Sequence, residues 1–581
     1  MTSEPPTVRS LRERHFRICA AALLLLMGTA QLVAVLRDSQ TYDESYHLVN
    51  GYAFLKTRAL LPVSEHPPVS QVISALPLLV LNLRLPRKSG PNYDEYQRAS
   101  DFLYQNRYPA DTILLLGRLP KILVTLLTGL MVAWWMRRRF GELAALAALT
   151  LYCFDPNFLA HGHYVTTDVP ATLCFVAACL AWSRFLTEGT MRSAAVSGLA
   201  VGAAMATKYS AILLFFIFVG LYLIRLWQQM GARRGPVRWS PFHLAKGLTV
   251  VVLVMLAVVF AAFGFETGKL MPPESIAVLQ AAGFQRVGGD TSFDRAAADL
   301  TIPAPSFFRG LTVLTLHNFR GHPSYLLGQR SQTGWWYYFP VVVAVKTPTG
   351  TLLLLLLALT AAATVLFRGG PREAFVRLKR LSPHWYILLF PPVLYFAVCM
   401  QTRINLGIRH ILPIYPLMFM WIAAVLFSRQ VVIPAFLRKA AVVCLALVVL
   451  ESASVFPRYL GFFNLPSGGP RQGWKYLVDS NLDWGQDLKR LKSYLVDRKI
   501  SNVCLHYFGT ALPSYYGIES KPAPASLDEA RSSGCVVVMS ITAFYEFQPF
   551  DGRYDWMLRT APTDTVGDSF RVYDLKRIAV R

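Results

Sequence analysis

Residues 18–36 read ICAAALLLLMGTAQLVAVL, and six positions on the chain continues Tyr42-Asp43-Glu44-Ser45-Tyr46-His47. At 1.5 Å per residue the apolar run can cross roughly 30 Å of hydrocarbon as a helix. Arg9, Arg12, Arg14 and Arg17 precede it, so the excess of positive charge places its start in the cytoplasm and Asp43 and Glu44 on the far side. The run exceeds a signal-peptide core and no small-x-small site follows before the acidic pair, so it reads as a signal anchor.

The rest of the chain repeats this pattern. Of 581 residues 54% are hydrophobic and only 16% charged, and mean hydropathy is +0.38, which excludes an ordinary soluble protein. The net charge of +24 falls in short clusters between apolar runs, a topology signal and not a nucleic-acid footprint. Spans are expected at about 112–136, 143–159, 166–186, 194–207, 210–227, 248–265, 335–367, 385–401, 411–427 and 440–455, about eleven with the first. The groups at Arg137–Arg139, at Arg225 to Lys246 through Arg233, Arg234 and Arg238, and at Arg368 to Arg380 mark inner loops. The fold class is an α-helical polytopic membrane protein, residues 1–456, with outer loops at 37–111 and 266–335. The odd count carries residues 457–581 to the outside as a small α/β domain, with a helix over 483–498 and strands at 503–507, 535–540 and 570–575. Six of the eight cysteines sit in apolar runs without ligand spacing; Cys504 and Cys535 either pair, if that side is oxidising, or remain two thiols in a sheet.

Chemistry concentrates on the outer side. Crowded carboxylates at an interface suit a general base or a metal ligand, and besides Asp43 and Glu44 the first outer loop holds Glu65-His66-Pro67-Pro68; the alternative is a solvated acidic loop. A cation within a span costs roughly 2.5 to 3.5 kcal/mol, and Arg118, Lys121, Lys208, Lys346, Arg403 and Arg409 gather towards the same face. Such a set suits a lipid-linked phosphate, although residues near helix ends such as Arg118, Arg403 and Arg409 equally suit interfacial anchoring. Thr166-Thr167-Asp168 before Pro170 is a helix-start signature in which Asp168 caps the helix or pairs with one of these cations. His161 and His163 lack a third nearby ligand and read as surface histidines.

Together these motifs resemble the GT-C superfamily of polytopic glycosyltransferases, in particular the bacterial protein O-mannosyltransferase and lipid A aminoarabinose transferase branch. The resemblance rests on Asp43-Glu44, Glu65-His66-Pro67-Pro68, Gly117-Arg118-Leu119, Thr167-Asp168-Val169-Pro170, Lys208, Lys346-Thr347-Pro348 and Arg409-His410-Ile411-Leu412-Pro413. It implies inverting transfer of a hexose or pentose from a polyprenyl-phosphate donor to a protein, lipid or glycan acceptor outside the cytoplasm, in a bacterial inner membrane. Asp43 would be the base with Glu44 beside it. Glu65 would be the second carboxylate, and Glu65, His66 and Asp168 would contact substrate or a divalent metal cation. Donor phosphate would fall to Arg118, Lys121, Lys208, Lys346, Arg403 and Arg409. A lipid-linked oligosaccharide transferase or glycan ligase would share the architecture; a lipid-linked glycan flippase or transporter is the alternative from another class, and cations gathered at one face and unlike halves speak against it.

Overall fold

The computed structural model describes residues 6–58, 60, 64–87, 94–230, 240–281, 299–547 and 553–578. The basic stretch with Arg233, Arg234 and Arg238 and part of the second expected outer loop lie outside them. Among the described residues seven helices are long and apolar enough to cross a membrane, or eight if the pair Pro371–Arg380 and Pro383–Cys399, bent by 103°, is one span. The expected count of eleven crossings is not confirmed by these helices. Glu142–Cys153 has 12 residues and Met191–Met205 has 15, short of a crossing, and Ala435–Ser454 carries Arg438, Lys439 and Glu451. Leu25, Leu123, Leu253 and Leu356 stand exposed on the long helices, as side chains facing hydrocarbon must, while polar residues turn into the bundle.

Two short helices of the first loop build the floor of the site. Glu44–Thr57 starts directly after Asp43 and ends at Arg58 in the left-handed conformation. Pro68–Ala75 has proline at its first position, where the missing N–H costs nothing. The two cross closely enough that a Cβ on Gly51 would overlap the Gln71 carbonyl, so only glycine fits there. The second loop supplies helix Pro305–Arg320 and the hairpin Ser324–Leu326 with Gln329–Ser331.

After helix Ala435–Ser454 the chain does not leave the bundle. Asn464 N donates to Val345 O at 3.0 Å, Tyr42 N donates to Trp484 O at 3.0 Å, and Ser39 N donates to Gln486 O at 2.9 Å. Residues from Tyr459 to Trp484 pack into the main apolar core. Only beyond helix Leu488–Asp497 does a separate sheet form, with strand order Lys521–Pro522, Val503–His506, Val536–Ser540, Phe570–Tyr573 and Asp564–Val566. The first three strands run parallel, Phe570–Tyr573 runs antiparallel to them, and Asp564–Val566 pairs antiparallel with Phe570–Tyr573. Its strands read Val-Cys-Leu-His and Val-Val-Val-Met-Ser, the continuous apolar runs of strands covered on both faces. Cys504 and Cys535 form a disulfide, with Cα atoms 5.8 Å apart.

Candidate functional site

The neighbouring acids Asp43 and Glu44 meet different partners. Glu44 is fully buried and takes Arg118 as a two-pronged pair, Nε to Oε1 at 2.7 Å and Nη2 to Oε2 at 2.6 Å. Its oxygens also accept the N–H of Thr41 at 2.8 Å and of Val165 at 3.0 Å. Burial raises the Glu44 carboxyl's pKa, but Arg118 and the backbone donors outweigh it and hold the group below its ordinary range. Arg118 directs its remaining N–H groups to the carbonyls of Val35, Asp38 and Ser39, so no donor is left for a phosphate. Asp43, one residue earlier, pairs with Arg409 at 3.1 Å in a half-open setting, with side chains 23% and 12% exposed. The Arg409 guanidinium lies 4.4 Å from the centre of the Trp484 ring, and its Nε has no partner among the described residues.

The other expected cations sort in the same way. Lys346 is buried and gives its three N–H groups to the carbonyls of Leu460, Phe462 and Asn481 at 2.9, 2.6 and 2.7 Å, so it fastens the returning chain. Lys121 is buried on Ser70, at 2.8 Å to O and 2.6 Å to Oγ. Arg403 is exposed and donates to Phe319 O at 3.0 Å, tying the second loop down. Lys208, 19% exposed, pairs with Asp168 at 2.5 Å. Asp168 thus pairs and does not cap its helix, and its Oδ2 is buried without a partner among the described residues. Asp168 also interacts electrostatically with Arg409 and His410, so Asp43, Arg409, Asp168 and Lys208 form one mixed-charge group. His161 and His163 are buried, not at the surface; His163 and Tyr164 reach Asp38 Oδ2 at 3.2 and 2.7 Å.

Glu65 faces His317 at 3.0 Å, and His317 Nε2 lies 3.0 Å from His322 Nδ1. The Glu65 hydrogen bond raises His317 above its ordinary pKa; burial and the His317 charge lower His322 to about 4. His66 packs against His47, ring centres 4.9 Å apart. Among the described residues no three His, Cys, Asp or Glu side chains gather as metal ligands, so Glu65, His66 and Asp168 do not converge on one ion here.

His47, Asp479, His317 and His322 carry no role in the expectations from sequence, although His47 stands in the acidic motif itself. His47 follows Asp43 by one helical turn, a spacing that could have flagged it; the loop histidines carry no local signal. Asp479 lies within the returning chain, where burial, relieved by Arg409 and reinforced by Asp43, raises its carboxyl to about 6.

Residues 66–268 match the family "Dolichyl-phosphate-mannose-protein mannosyltransferase". This bears out the GT-C resemblance for that part of the chain, although the match begins at His66 and so leaves Asp43, Glu44 and Glu65 outside it. No curated protein matches the chain. Among solved structures, ArnT from Cupriavidus metallidurans bound to undecaprenyl phosphate aligns with 13% identity and TM-score 0.45, covering 96% of this chain and 97% of that one. The S. cerevisiae protein O-mannosyltransferase Pmt1-Pmt2 complex bound to the sugar donor aligns with 17% identity and TM-score 0.32, covering 47% of this chain and 34% of that one. The chain thus spans about a third of that yeast chain's length. The Archaeoglobus fulgidus oligosaccharyltransferase aligns with 13% identity and TM-score 0.37, covering 90% of this chain and 68% of that one. At such scores each is a likeness and no more.

Proposed function

We propose that this integral membrane protein transfers a sugar from a polyprenyl-phosphate donor to a hydroxyl acceptor with inversion at the anomeric carbon. The observation that carries the reading is the half-open Asp43–Arg409 pair, set among cations whose donors are otherwise taken up by carbonyls and buried acids. Asp43 takes the proton of the acceptor hydroxyl as its oxygen bonds to the anomeric carbon. The bond from that carbon to the phosphate oxygen breaks, and polyprenyl phosphate leaves as an anion. Arg409, with its free Nε–H, and Lys208 stabilise the leaving charge. The remaining expected cations hold the fold. A divalent cation at Glu65 would use His317 and not His66 as its neighbour, given the 3.0 Å contact.

The Cys504–Cys535 disulfide fits an oxidising compartment, which supports an extracytoplasmic sheet and an acceptor met on that side. The test is turnover of radiolabelled polyprenyl-phosphate monosaccharides by the purified protein in detergent, with and without chelator and with a panel of protein, lipid and glycan acceptors. Release of polyprenyl phosphate with a labelled acceptor supports the reading; label moved across liposomes without a covalent product supports a flippase.

A further inference from the structure

On helix Glu44–Thr57, His47 and Asn50 follow Asp43 by four and seven residues, so the three lie along one face. Beside that face is a cavity open to water centres over about 80 Å³, bordered by Asn50, Ser64, His66, Gln71, Arg98 and Ser306. At roughly 10–15 Å³ per water on this measure, it has room for about six waters, close to one monosaccharide ring. Asn50 is only 8% exposed, yet its Oδ1 and Nδ2 are both buried with no partner among the described residues. An amide so placed costs about 1–3 kcal/mol, and folded proteins keep few such groups without a purpose. The Gly51–Gln71 approach fixes the backbone next to it, so the amide is carried on a rigid floor.

We propose that this cavity reads the donor sugar and that Asn50 holds an uncharged ring, Nδ2 donating to one hydroxyl and Oδ1 accepting from another. The inference rests on the polyprenyl-phosphate reading above. It follows from position, since the cavity shares a helix face with Asp43 and therefore adjoins the place assigned to the phosphate. It also follows from charge. Among the described residues no carboxylate lines the cavity, and the Arg98 that does is paired with Glu95 at 3.0 Å, so an aminated sugar would bring its ammonium to a lining that offers no unpaired counter-charge. A site built to hydrogen-bond hydroxyls discriminates strongly against ligands that leave its polar groups unpaired.

The experiment measures binding of three lipids to the full chain in nanodiscs: decaprenyl phosphate, decaprenyl-phosphate mannose and decaprenyl-phosphate aminoarabinose. Wild type is expected to bind the mannose lipid about tenfold more tightly than the bare phosphate, the margin of roughly one good hydrogen-bond pair, and more tightly than the aminated lipid. Asn50→Leu should erase that margin while leaving bare-phosphate affinity within about twofold, and should hold or raise the Tm because it removes an unpaired buried amide. If Asn50→Leu does not fold, Asn50→Ser decides by the same margin. A variant that keeps the full margin, or a wild type that prefers the aminated lipid, overturns the proposal. Equal wild-type affinity for all three overturns it but spares the donor reading, whereas binding of none overturns both.

Discussion

Two carboxylates adjacent in sequence, Asp43 and Glu44, each meet an arginine, and the two pairs differ in every respect that matters for chemistry. Glu44–Arg118 is sealed, with side chains 0% and 1% exposed and every guanidinium N–H engaged. Asp43–Arg409 is held by one contact at 3.1 Å and stays partly open. The helix start explains the divergence: successive residues point about 100° apart, so when Glu44 turns into the bundle Asp43 is left at its rim. A sealed pair stabilises one arrangement of the loop; an open pair can exchange its partner for a substrate. In this doublet burial marks Glu44 as the scaffold residue and leaves Asp43 as the one open to the role proposed for it.

The comparison breaks most visibly at the sealed pair. Arg118→Ala leaves Glu44 charged and unpaired in the interior and should cost about 3–5 kcal/mol, read as a lowered Tm and poor recovery of folded protein; an unchanged Tm would remove the contrast. Arg409→Ala should keep the Tm near wild type and lower donor turnover by about 10²-fold, the scale of losing one donor to a developing anion. Lys346→Met belongs with the sealed class. It frees three carbonyls and should lower the Tm, because buried acceptors without donors cost about 1–3 kcal/mol each, yet any folded fraction should keep its turnover per molecule.

The smallest effect concerns the third carboxylate. Glu65 is lowered below its ordinary 4.5, its partial burial outweighed by His317, and His317 is raised above its ordinary 6.5 by Glu65. The histidine's contribution is complete below 6.5 and is lost as pH rises through its raised value; the carboxylate's is complete above 4.5 and is lost as pH falls through its lowered value. The pair therefore stabilises most between pH 4.5 and 6.5. Because Glu65 is 42% exposed, the gain should stay under about 1 kcal/mol. The Tm difference between wild type and His317→Gln should peak in that window, and a flat difference would dismiss the pair as an energetic contact.

Much of the architecture was legible because hydrocarbon imposes it. Apolar runs, basic clusters and the strands around Cys504 and Cys535 all carry local signals. The crossing count was less legible, since Glu142–Cys153 and Met191–Met205 are as apolar as spans but, at 12 and 15 residues, shorter than the length that crosses hydrocarbon alone. The shift in composition at Pro457 marked a soluble region, but not that Tyr459 to Trp484 would fold back into the bundle core. The site was half legible. Charges near spans pointed to Arg118, Lys121, Lys346 and Arg409 alike, because the sequence shows that a cation is costly but not whether carbonyls or a ligand offset the cost. The carbonyls that engage Lys346 lie more than a hundred residues away, and no local pattern announces them. His317 is likewise 252 residues from Glu65.

The most direct test sets Asp43→Asn beside Glu44→Gln and follows both Tm and turnover of a radiolabelled polyprenyl-phosphate sugar in nanodiscs. Asp43→Asn should hold its Tm and lose about 10² to 10⁴ in turnover, the usual loss of a general base, while Glu44→Gln should lose stability first. An Asp43→Asn protein that is folded and turns over donor at the wild-type rate would contradict the account.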